Sequence, residues 1–167
     1  MLSDAFRPVP VKNSDGEEVV GLLEVKSMKV NKAGGNVDIG CGNAFGGEAD
    51  EAEDPGAEMV NNVIDEVIGF DLHEVPMGKK DLKEYLQAYC KALRMKLKDD
   101  EKVPGPEVKA FTQSAPLLCK YLLSKFDDLQ FYTSSSMDPD GSMAFAYYED
   151  VNPKFIFIKA GLLEEKC

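Results

Sequence analysis

The chain has 167 residues, 44% of them apolar and 29% charged, with a net charge of -11, enough for one domain with its own core and too acidic to bind a phosphate backbone by counterion release. No run approaches the roughly 18 consecutive apolar residues of a membrane span, and the opening MLSDAFRPVP has neither the basic start nor the apolar stretch of a secretory signal. A single cytoplasmic domain over 1–167 is predicted, with no direct nucleic-acid partner and no membrane span.

From Glu17, EEVVGLLEVKSMKV is rich in Val and Leu with partial alternation and predicts a strand or strand pair. From about 34 to 58 the composition collapses into Gly, Asn and then acids, which predicts a long flexible loop; loops of that length are usually functional or disordered. EMVNNVIDEVIGFDLHEV then restores a β-branched pattern of strand type.

Residues 79–125 predict a helical hairpin. Leu82, Leu86, Tyr89, Leu93 and Leu97 recur at three- and four-residue steps, VPGP breaks the chain, and Val108, Phe111, Ala115, Leu118 and Leu122 give a second stripe. Pro116 is expected to kink or restart the second helix. DLQFYTSSS, SMAFAYYED and KFIFIKAG follow as aromatic strands, the first two joined through MDPDG. The order strand, hairpin, strand predicts an α+β fold whose sheet draws on both ends of the chain.

Charge is distributed unevenly along this order. No Lys or Arg lies between Lys32 and Lys79, whereas nine of the nineteen fall from Lys79 to Lys109. On the first helix, Lys91, Arg94 and Lys98, with Lys83 at the margin, stand at helical spacing opposite the apolar stripe, a pattern suited to an acidic partner.

Catalytic patterns are weak. The glycines from Gly40 fail the dinucleotide fingerprint at Phe45, and no Lys follows to make a phosphate loop. Glu48, Asp50, Glu51, Glu53 and Asp54 are hard oxygen ligands suited to weak calcium binding, but nothing in their spacing preorganises them. DPDG fails as a calcium-binding EF-hand, because placing Asp138 first puts Met143 where the bend needs Gly; a hairpin turn is expected there. The single histidine, His73, is expected beside a strand face. The four cysteines, Cys41, Cys90, Cys119 and Cys167, are too widely spaced for a disulfide scaffold or zinc pairs and predict reduced thiols. A binding protein rather than an enzyme is expected; the alternative is an enzyme whose site gathers dispersed Cys, His and carboxylate residues.

GNAFGGE after its Gly/Asn/Asp lead-in, the basic hairpin, QFYTSSSMDPDG and the ending FIFIKAGLLEEKC together resemble the translationally controlled tumour protein family, over about the whole chain. In the loop signature Gly42, Asn43, Ala44 and Glu48 match, while Phe45 and Gly46 replace a single small residue. Ser134 and Ser135 stand where the family has Gly-Glu, and MLSDAFR resembles the sequence that follows the family's first strand, so that strand is expected to be missing. The resemblance implies a β-tent sheet core carrying the hairpin and mobile loop. It further implies a cytosolic multi-partner protein associated with weak calcium binding, tubulin and microtubules, translation elongation factors and small GTPases, supporting growth and protecting from cell death. It also implies a monomer able to form a disulfide dimer through Cys167.

Overall fold

A computed structural model describes residues 8–32, 58–138 and 140–162. Eight strands and two long helices follow in chain order. They are β1 (Val9–Lys12), β2 (Glu18–Lys26), β3 (Lys29–Asn31), β4 (Met59–Asn61), β5 (Leu72–Glu74), α1 (Lys79–Asp99), α2 (Gly105–Ser124), β6 (Gln130–Ser134), β7 (Ala144–Tyr148) and β8 (Pro153–Ile158). Six strands make one antiparallel sheet in the order β1-β2-β8-β7-β6-β5, and β3 pairs with β4 in a separate ribbon. The expected α+β arrangement is present, with β2 from the first third of the chain hydrogen-bonded to β8 from the last.

The central strand β8 explains why FIFI reads as an unbroken apolar run: successive side chains point to opposite faces, and both faces are covered. Ile156 and Ile158 pack into the core beneath the helices with Leu82, Leu86, Leu118 and Leu122. Phe155 and Phe157 join a second cluster on the other face with Val25, Val63 and Tyr132, against Phe70 and Leu72.

The hairpin follows the predicted stripes. Leu82, Leu86, Tyr89 and Leu93 are buried along α1, and Phe111, Leu118 and Leu122 along α2. The expected restart at Pro116 does not occur, since α2 is continuous from Gly105 to Ser124. A proline removes one helical hydrogen bond, and buried Phe111 on one side and Leu118 and Leu122 on the other fix the helix to the core across that gap. Gly21 in β2, with φ of +94°, lets α2 approach the strand: a Cβ there would lie 3.0 Å from Leu118 Cδ2.

Two polar devices set the ends of the sheet. The Tyr85 hydroxyl of α1 donates to the Gly141 carbonyl at 2.8 Å and accepts from the Met143 amide at 3.2 Å, so the helix grips the turn between β6 and β7. That turn is the predicted MDPDG connection, closed by the Gly141 amide on the Asp138 carbonyl. At the other end the Ser27 hydroxyl donates to the Pro153 carbonyl and accepts from Asn61 Nδ2 at 2.9 Å, tying the β3-β4 ribbon to the main sheet.

Candidate interaction surface

The helix α1 divides its charge around its circumference. With Leu82, Leu86, Tyr89 and Leu93 turned inward, Lys91, Arg94 and Lys98 fall within about 60° of one another on the outward side, and all three are exposed. They make no ion pair among the described residues, where α1 contributes only the i, i+4 pair of Lys80 and Glu84 at 3.8 Å. Unpaired cations on one helix face raise the local potential in a chain whose net charge is -11. Sequence periodicity alone brought Lys91, Arg94 and Lys98 together, and the helix keeps them so; Lys83 lies exposed at the stripe's edge.

The other flank of α1 is apolar. Tyr85 and Tyr89 stack with ring centres 5.3 Å apart, beside an open groove of about 460 Å³ that reaches Met77, Met137 and Met143. Burial pushes the Tyr85 and Tyr89 hydroxyls above their ordinary range, which leaves both as neutral hydrogen-bonding groups rather than bases.

The ribbon β3-β4 is the stem of the acidic segment. The Lys32 amide donates to the Glu58 carbonyl at 2.9 Å, so residues 32 and 58 lie side by side at the end of the ribbon. Lys32 also lies 3.6 Å from Asp65 and 3.7 Å from Glu66, and Asp65 first of all raises its pKa. The Asp65 carboxyl is held below its ordinary value by the amides of Ile68 and Val67, with a smaller contribution from Lys32. The calcium candidates Glu48, Asp50, Glu51, Glu53 and Asp54, the loop motif Gly42, Asn43 and Glu48, and Cys167 all lie outside the described residues. Among the described residues no three His, Cys, Asp or Glu side chains converge as a metal site.

Among the described residues, no hydrogen bond joins His73 to a cysteine. His73 is half-exposed on β5, with Nε2 3.1 Å from Asp71 Oδ1. Cys90 and Cys119 meet each other instead, across the helical hairpin, with Sγ atoms 3.6 Å apart. A partly buried ionic cluster with an exposed end at Glu149 forms where β2, β7 and β8 meet: Lys154 lies 3.5 Å from Glu24, Tyr147 donates to Glu24, and Lys154 also bonds Glu149. Glu149 chiefly raises the Lys154 pKa, and Lys154 lowers that of Glu149. These charges are spent on one another and support the sheet. Sequence reading missed both groupings, although helical projection places Cys90 four residues after buried Leu86 and Cys119 three residues before buried Leu122, each on the same face as a core leucine.

The whole arrangement has counterparts. A family model described as translationally controlled tumour protein matches residues 1–163. The chain is 35% identical to a translationally-controlled tumor protein homolog of Theileria annulata, covering 98% of this chain and 91% of that one. It is likewise 35% identical to a homolog of Yarrowia lipolytica, covering 99% and 92%. Among solved structures, the translationally controlled tumor-associated protein p23fyp of Schizosaccharomyces pombe superposes with a TM-score of 0.65 at 30% identity, over 99% of this chain and 92% of that one. The translationally-controlled tumor protein of Caenorhabditis elegans, at 22% identity over 87% of this chain and 85% of its own, shares the fold with a TM-score of 0.52.

Proposed function

This chain belongs to the translationally controlled tumour protein family, and from that premise we propose that it is a non-enzymatic, multi-partner regulatory protein of the cytoplasm. Its partners are proteins: tubulin and microtubules, a translation elongation factor and a small GTPase, with weak calcium association at the acidic segment. In this reading it supports growth and survival by binding, as a monomer or as a dimer joined through Cys167. The observation that carries the proposal is the stripe of Lys91, Arg94 and Lys98, exposed and without ion-pair partners among the described residues.

A helix face of that kind complements an acidic polymer. Attraction between exposed charges chiefly speeds and orients encounter, and it is screened beyond a Debye length of about 10 Å at 0.1 M salt. The membership favours binding over catalysis, and so does the divergence of His73 from the two described cysteines. Co-sedimentation with purified microtubules across a salt series tests the proposal. Binding that falls steeply with salt supports it; absence of binding at low salt, or binding indifferent to salt, refutes the tubulin assignment.

A further inference from the structure

We propose that Cys90 and Cys119 form a dithiol site that a small hydroperoxide oxidises to a disulfide joining α1 to α2. The two residues are 29 positions apart in sequence, yet their sulfurs are 3.6 Å apart across the hairpin. An S–S bond is about 2.05 Å long, so closure requires about 1.5 Å of approach, within reach of side-chain rotation and a small helix adjustment. Pro116, one turn before Cys119, cannot donate to the Thr112 carbonyl, which leaves α2 a softer turn in which to take up that adjustment.

The pair is asymmetric in the way a stepwise oxidation needs. Cys119 is partly exposed and can meet a small oxidant, while Cys90 is buried at 9% and can act only on its neighbour. The hydrogen bond between them holds the Cys119 thiol below its ordinary range, and the same contact together with burial pushes Cys90 up. The thiolate is the nucleophile, so Cys119 reacts first.

In the first step Cys119 Sγ attacks one peroxide oxygen: an S–O bond forms, the O–O bond breaks, and the departing oxygen leaves as water or an alcohol after taking a proton. Cys90 Sγ then attacks the Cys119 sulfenic acid. The S–S bond forms, the S–O bond breaks, and hydroxide leaves as water with the Cys90 proton. The two sulfurs together lose two electrons and the hydroperoxide gains them; a dithiol reductant reverses the change by thiol–disulfide exchange. As simple core filler the pair would not react this way, since neither sulfur would be both reachable and partnered.

The test uses the full chain with Cys41→Ser and Cys167→Ser, so that only this pair remains. After stoichiometric hydrogen peroxide, thiol alkylation and peptide mass mapping should find the Cys90 and Cys119 peptides linked within one chain, with loss of two hydrogens and full reversal by dithiothreitol. Adding Cys90→Ala should leave Cys119 as a sulfenic acid captured by dimedone, whereas Cys119→Ala should leave Cys90 unmodified. Circular dichroism identifies folded variants, and the linkage in the unaltered pair decides the matter if either variant fails to fold. Two alkylatable thiols after peroxide, Cys119 over-oxidised beside a reduced Cys90, or a link only between chains would overturn the proposal.

Discussion

Replacing Gly21 by alanine probes how the helical hairpin is seated on the sheet. Gly21 occupies a φ of +94°, where a residue with a side chain is strained by about 1–3 kcal/mol. Its new Cβ would lie 3.0 Å from Leu118 Cδ2 and 3.6 Å from Ser114 Oγ, and both partners are buried, at 0% and 6%. Neither can swing into solvent, and crowding of a packed core costs a further 1–3 kcal/mol or so. The loss of about 2–6 kcal/mol corresponds to a melting temperature lower by roughly 5–20 °C for a chain of this size. Thermal unfolding followed by circular dichroism reads it directly. Leu118→Ala, itself costing about 2–5 kcal/mol, removes the atom that crowds the new methyl. The alanine at 21 should therefore be less damaging on that background, by about 1–2 kcal/mol in a double-mutant cycle. A Gly21→Ala protein that melts with the wild type, or strictly additive effects, would refute the seating of α2 against the β2 backbone.

Asn61→Ala removes the acceptor of the Val63 and Ile64 amides and the donor to Ser27; it should cost about 1–2 kcal/mol, read as a lower urea midpoint. Asp65 has a depressed folded-state pKa, so its stabilisation is complete above the unfolded value of about 3.9 and is lost as pH falls through the lower folded value. The melting-temperature gap between wild type and Asp65→Ala should thus hold from neutral pH to about pH 5 and shrink toward pH 2; a gap that widens on acidification would contradict the assignment. Calcium titration followed by chemical shift should give a dissociation constant no tighter than roughly 10⁻⁴ M, and micromolar affinity would show a preorganised site.

Elements that bury one regular stripe were legible from the sequence. Leu82, Leu86, Tyr89 and Leu93 mark α1 at helical spacing, and FIFI in β8 marks a strand covered on both faces. Strand β1 was not legible, because Pro10 interrupts its four residues and only Val11 is buried; as an edge strand it tolerates the missing amide. Of the kink or restart expected at Pro116, the restart is absent: local hydrogen bonding argues for it, whereas burial on both sides keeps α2 continuous. Of the surface, Lys91, Arg94 and Lys98 were readable since helical periodicity fixes their common face. The contacts of Cys90 with Cys119 and of Glu24 with Lys154 and Tyr147 join distant parts of the chain, and no local pattern encodes such meetings.

Charge reversal on the basic face of α1 tests most directly whether this helix is the partner surface. Lys91→Glu, Arg94→Glu and Lys98→Glu together alter three exposed side chains and no core residue, so circular dichroism and melting should stay close to wild type. Microtubule co-sedimentation by the triple variant should fall several-fold at low salt, and the gap should narrow as added salt screens both proteins. A folded triple variant that sediments as well as wild type would contradict the account and assign the partner surface elsewhere.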